Sequence, residues 1–256
     1  MSSTTPMSAR APTLDGEPSP IRVNARLEGP LSRWLWLVKW LLLVPHVLVL
    51  IPLWIAFVVL SFVALVAIVI TGRYPRAIFD FNLGVMRWSW RVSYYGYEGL
   101  GTDRYPPFTL ADVPGYPARL DIDYPPRLHR GLALVKWLLA VPHLVIVGIL
   151  FGGGPWLSWQ TDTDALVLGS GGLAGLLVLI AGITVLFTGE YPRPLFDLIM
   201  GLNRWGLRVA GYVALMTDQY PPFRLDSGGD DPAGPAVPRD LTPPNVEPVV
   251  TSGDRL

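Results

Sequence analysis

Apolar positions in this chain gather into a few long runs. Residues 53–70 hold 18 positions without a charge, and residues 165–187 hold 23. About 20 residues of helix cross a bilayer core, so both runs predict transmembrane helices. Two further apolar segments precede them: 31–51, which carries Arg33, Lys39 and His46, and 131–151, which carries Lys136 and His143. A buried helix in a large soluble protein has the same pattern, but 256 residues cannot hide several fully apolar helices behind so little polar surface. Elsewhere the period changes. Residues 77–97 and 194–214 place their polar positions at helical spacing. Residues 21–27 and 119–124 alternate at period two, which predicts short half-buried strands able to pair with each other.

The pattern occurs twice. Residues 71–97 read TGRYPRAIFDFNLGVMRWSWRVSYYGY and residues 188–214 read TGEYPRPLFDLIMGLNRWGLRVAGYVA, with 13 of 27 positions identical. Each copy is followed by Thr-Asp-x-Tyr-Pro-Pro-Phe, at 102–108 and 217–223. Each is preceded by Val-Lys-Trp-Leu-Leu-x-x-Pro-His, at 38–46 and 135–143. Repeats of this kind fix architecture before any element is assigned. They divide the chain into a disordered arm (1–20), a first membrane repeat (21–110), a second (118–225) and a disordered Pro-rich tail (226–256). From the shared Lys-Trp to the shared Thr-Gly the second copy is 20 residues longer, the excess lying around 152–165. Homology between the halves predicts that 31–71 is a tight helical hairpin turning at Ile51-Pro52. A single helix kinked at Pro45 or Pro52 is the alternative.

Charge turns these spans into a topology. With four spans, both hairpin connections lie on one side and contain no Lys or Arg, while all 20 basic residues lie on the other side or in the first turns of the spans starting there. The positive-inside rule then places both termini in the cytoplasm of a plasma-membrane protein. Making 77–97 and 194–214 into further spans would bury Asp80, Arg87 and Arg91 at roughly 2.5–3.5 kcal/mol each. The expected fold is therefore all-α and membrane-integral: two parallel repeats, each a transmembrane hairpin plus an amphipathic interfacial helix, with possible short strands on the cytoplasmic side. Net charge is zero and says nothing about partners. The absence of cysteine excludes disulfides, thiolate catalysis and Cys-based metal sites.

Candidate chemistry lies in two places. After each second span, Thr-Gly-x-Tyr-Pro-Arg suits a helix end followed by a new first turn. Arg73 and Arg76, with Arg193 in the copy, then fall at headgroup depth. On the new helix Asp80, Gly84, Arg87 and Arg91 share one face, as do Asp197, Gly201, Arg204 and Arg208. Two arginines and a carboxylate suit an anionic ligand such as a lipid headgroup. The competing assignment is that the arginines face water and headgroups while the glycine allows close packing. The second place is the first span of each half. Lys39 and His46 are seven apart on one face, as are Lys136 and His143. The lysine can snorkel. The histidine is either a proton relay or substrate contact, or a neutral imidazole bonded to a carbonyl freed by the neighbouring proline. Metal binding lacks ligands, and no catalytic constellation or cofactor motif is found.

These phrases together, V-K-W-L-L-x-x-P-H, T-G-x-Y-P-R-x-x-F-D, R-W-x-x-R-V and T-D-x-Y-P-P-F, resemble a family of bacterial integral membrane proteins known as domain of unknown function 4389, often present in two copies. The resemblance covers about 21–225. It implies a membrane-embedded protein and carries no activity, substrate or catalytic residue. The second copy departs from the first at Glu190, where the first has Arg73, and in the insertion at 152–165. The expected function is a non-enzymatic accessory or scaffold component of the cell envelope that contacts anionic lipid or a partner protein. The alternative is a small transporter or lipid-handling protein with its path between the repeats.

Overall fold

The computed structural model describes residues 19–152, 172–223 and 225–228. The arm and most of the Pro-rich tail expected from composition lie outside these residues. Among them are five helices and two strands: β1 (Ile21–Ala25), α1 (Lys39–Thr71), α2 (Arg76–Tyr95), β2 (Ala118–Ile122), α3 (Arg130–Phe151), α4 (Gly172–Thr188) and α5 (Arg193–Val213). By length and composition alone, α1 and α3 are each long and apolar enough to cross a membrane.

The hairpin expected over 31–71 is not formed. Residues 39–71 are one helix of 33 residues, with Pro45 and Pro52 inside it. A turn at Ile51-Pro52 would expose the last carbonyls of one helix and the first amides of the next, and no polar side chain nearby is available to bond them. Continuing the helix leaves only the groups displaced by each proline. The chain stops at Gly72 instead, where a left-handed φ of 72° lets its amide bond the Ile68 carbonyl at 2.7 Å.

The second half repeats this rod in two pieces. Counted from Lys136, the helical residues of α3 and α4 number as many as those of α1 from Lys39. The pieces abut: a Cβ on Gly172 would lie 2.4 Å from the Gly152 nitrogen and 2.7 Å from the Ile149 carbonyl oxygen. The extra residues of the second copy therefore enter at the middle of a rod, and apart from Gly152 they lie outside the described residues. The rods run in opposite directions. Gly72, at the end of α1, packs under Arg130 at the start of α3, and Gly189, at the end of α4, packs under Arg33 just before α1. This also replaces the expected parallel arrangement: 131–151 and 172–188 are successive parts of one rod antiparallel to α1, and Phe62 meets Trp137 where the rods touch.

The two strands pair as their alternation predicts. They are antiparallel, with Val23 opposite Leu120. Ile21, Val23, Ala25, Ala118, Leu120 and Ile122 point inward and are buried. The molecule is layered. The rods form a floor, α2 and α5 return across it, and the sheet roofs both. Asn82 of α2 bonds Ser61 and Trp54 of α1 bonds Ser89, while Gly211 of α5 packs on Ile21 of β1. Phe79, Trp90, Tyr94, Phe196, Met200 and Tyr212 fill the space between.

Candidate functional site

Each rod brings its two polar residues under the shared Thr-Asp-x-Tyr-Pro-Pro-Phe segment. Lys39 is fully buried. Its ammonium donates to the Thr102 carbonyl at 2.7 Å, pairs with Asp103 at 3.0 Å and faces the Tyr95 ring at 4.6 Å. Lys136 repeats the arrangement with the Thr217 carbonyl at 2.7 Å, Asp218 at 2.6 Å and Tyr212 at 5.3 Å. A buried ammonium needs a charge partner and several acceptors, and the Thr-Asp pair supplies both. The lysines are therefore pinned from above by a loop and do not snorkel.

Two turns further on, each histidine lies in an aromatic box. The His46 ring stacks on Phe108 at 4.0 Å, tilts against Tyr105 at 4.8 Å, and accepts the Trp88 indole N–H on Nδ1 at 3.1 Å. His143 stacks on Phe223 at 4.0 Å beside Tyr220 and Trp205. There the indole bond is not made, and both His143 nitrogens are buried without a hydrogen-bond partner. The repeated Tyr-Pro-Pro-Phe phrase is thus the lid of the histidine box. The phrase was visible in the sequence, but its partner was not. The recurrence of its parent Thr-Asp-x-Tyr-Pro-Pro-Phe segment shortly after Arg-Trp in both copies, starting 15 residues past Arg87 and 13 past Arg204, is the signal that would have paired them.

The arginine stripe faces the chain's own roof. Arg87 donates to the Leu120 carbonyl at 2.9 Å and to Asp121 at 2.5 Å. Arg91 caps the carbonyls of Ala111 and Thr109. Arg204 is fully buried and bonds the carbonyls of Val23, Asp226 and Gly228, and Arg208 pairs with the Asp226 carboxylate at 2.5 Å. Most of the stripe's donors are spent on strands and loops. Gly84 and Gly201 lie in the same faces, and Leu110 packs closely on Gly84. Asp80 pairs with Arg76 one turn away at 3.1 Å, in water, and Asp197 accepts the Gly228 amide on its backbone carbonyl. Burial pushes the Tyr94 phenol well above its ordinary range, so it remains a neutral donor to the Arg26 carbonyl at 2.7 Å.

One basic surface is unspent. At the junction of α1 and α3 an open cavity of about 580 Å³ is lined by Thr71, Arg73, Arg127, His129 and Arg130. The Leu128 amide joins its two sides by bonding the Gly72 carbonyl at 3.0 Å. Arg73, Arg127 and Arg130 are exposed, and none is in an ion pair among the described residues. Arg73 was expected at headgroup depth. Arg127 and Arg130 were not singled out, because only the antiparallel rods bring 127–130 to the end of α1. The equivalent junction pairs Arg33 with Gly189 and carries Glu190 in place of Arg73, and Arg193 is exposed beside it.

The family model for the domain of unknown function DUF4389 matches residues 33–109 and 167–224. The chain belongs to this family. The matched segments lie within the two repeats: the first spans α1, α2 and the lid segment that follows, and the second spans α4, α5 and its lid segment. No curated protein and no solved structure matches the chain.

Proposed function

We propose that this DUF4389 protein is a membrane-resident, non-catalytic accessory or scaffold component of the cell envelope that grips anionic lipid. The observation that carries this is the outward face of the rods. Leu41, Leu48, Ile55, Phe62, Val66 and Ile70 form one exposed stripe along α1, and Leu138, Val145, Ile149, Leu176, Ile180 and Phe187 continue it on α3 and α4. Water-facing monomers seldom expose an apolar patch beyond a few hundred Å², so the natural surroundings of this face are acyl chains. The arginine-lined cavity at the end of α1 favours anionic headgroups, at about 1 kcal/mol per cation near the surface. Transport has less support. Trp137 meets Phe62, 23 residues along α1 from Lys39, so the two buried lysines stand roughly 35 Å apart at opposite ends of the rods.

Vesicle flotation of the purified full chain tests both parts. The protein is expected to float with phosphatidylcholine vesicles and more tightly when phosphatidylglycerol is added. The triple substitution Arg73→Gln, Arg127→Gln, Arg130→Gln should remove the anionic preference and leave flotation itself intact. Protein that stays in the aqueous phase overturns the membrane assignment. An unchanged preference in the triple variant overturns the lipid grip.

A further inference from the structure

We infer that the rods lie in the plane of one leaflet, and that the protein enters the bilayer from one side without crossing it. This rests on the membrane assignment above and names how the apolar face is occupied: by the acyl chains of a single leaflet.

Length is the first ground. The exposed apolar stripe on α1 runs from Leu41 to Ile70, which at 1.5 Å per residue is about 44 Å. A hydrocarbon core is about 30 Å thick and membrane helices tilt by about 20° on average. A rod crossing the bilayer would carry apolar side chains past the hydrocarbon into the headgroup layers.

The position of the sheet is the second ground, and it decides the matter. Arg87 reaches Leu120 and Asp121 of β2, while its neighbours Trp88 and Ser89 bond His46 and Trp54. The sheet therefore stands over the middle of α1. Arg204 reaches Val23 in the same way from the second repeat. Around this sheet lie the Arg22–Asp123 and Arg119–Asp112 pairs, with side chains between 26% and 57% exposed. If the rods stood upright, these charges would sit at the bilayer midplane, where insertion costs roughly 2.5–3.5 kcal/mol for each. With the rods lying flat, the same charges face water.

Charge at the rod ends agrees. Arg33 and Arg193 flank one junction, and Arg73, Arg127 and Arg130 the other. Upright antiparallel rods would put basic clusters on both sides of the membrane, against the positive-inside rule. Flat rods keep every one of these arginines on a single side. Between the rods and α5 lies an apolar groove of about 420 Å³, lined by Trp54, Phe57, Phe62, Trp137, Leu144 and Val209, which suits an acyl chain.

The chain has no cysteine, so single cysteines report without background. Ser32→Cys and Thr71→Cys mark the two ends of α1, and Gly115→Cys marks the roof. Each full-length variant is labelled with a membrane-impermeant maleimide in intact cells and in inverted membrane vesicles, after a carbonate wash. All three are expected to react from the same side. Reaction of Ser32→Cys and Thr71→Cys from opposite sides overturns the in-plane seat alone. Release of the protein by carbonate overturns both the seat and the membrane assignment beneath it.

Discussion

Val23 faces Leu120 across the two-stranded sheet, and around this pair the two repeats hold each other. Arg87 of the first repeat bonds the carbonyl of Leu120, and Arg204 of the second bonds the carbonyl of Val23. The exchange continues outward. The Tyr74 hydroxyl donates to the Ala214 carbonyl at 3.4 Å, the Tyr191 hydroxyl to the Gly99 carbonyl at 3.0 Å, and the Asn203 amide to the Glu98 carbonyl at 2.8 Å. Each half completes the polar bonding of the other. The rods beneath are antiparallel, and the charged roof lies over their centres.

The two stripe glycines should respond differently to alanine. A Cβ at Gly84 would lie 2.8 Å from the Leu110 Cβ and 3.0 Å from its carbonyl oxygen, whereas at Gly201 the nearest atom is 3.5 Å away. Gly84→Ala is expected to destabilise by about 1–3 kcal/mol through overpacking. Gly201→Ala should be neutral or gain up to about 1 kcal/mol from helix propensity. Thermal unfolding in detergent, comparing the two single variants, checks this.

His46 and His143 should also separate. His46→Leu strands the Trp88 indole N–H, a loss of about 1–3 kcal/mol. His143→Leu removes two nitrogens already without partners, so it should be neutral or stabilising. His46→Gln, which restores an acceptor, should recover part of the loss. Equal effects at the two positions would show that the indole bond contributes nothing.

Arg87→Gln tests what the stripe is for. Its side chain is 20% exposed and bonds Asp121 and the Leu120 carbonyl. Loss of those charge-assisted bonds should destabilise by about 1.5–3 kcal/mol, and affinity for anionic vesicles should not change. Weakened vesicle binding in a folded variant would return the stripe to the lipid.

For the buried lysine, a double-mutant cycle is the clean measurement. Lys39→Met leaves Asp103, 27% exposed, without its partner, and should cost about 3 kcal/mol, at the low end for a broken buried pair. Adding Asp103→Asn should recover part of that. Strict additivity in unfolding midpoints would mean that the ion pair holds nothing together.

Much of this was legible in the chain. The repeat phrases marked the helices after each rod, and period two marked both strands and their pairing. Gly72 marked the end of α1. The antiparallel sense of the rods was not legible, because the insertion near 152 imitates a hairpin loop and homology carried that hairpin back onto 31–71. The stripe arginines were recognised as sharing a face, but spacing cannot say whether a carbonyl or a phosphate meets them, and carbonyls 18 to 181 residues away do. The Arg73–Arg127–Arg130 surface was invisible because it joins the end of one rod to the start of the next.

Depth along α1 tests the in-plane seat most directly. Spin labels placed singly at Leu41, Leu48, Ile55, Phe62 and Ile70, in the full chain reconstituted into bilayers, can be ranked for depth by their accessibility to oxygen and to a polar relaxant. Flat rods predict one common shallow depth, about 5–10 Å below the headgroup boundary, at all five positions. A profile deepest at Ile55 and shallow at Leu41 and Ile70 would mean that α1 crosses the bilayer, and would contradict the account.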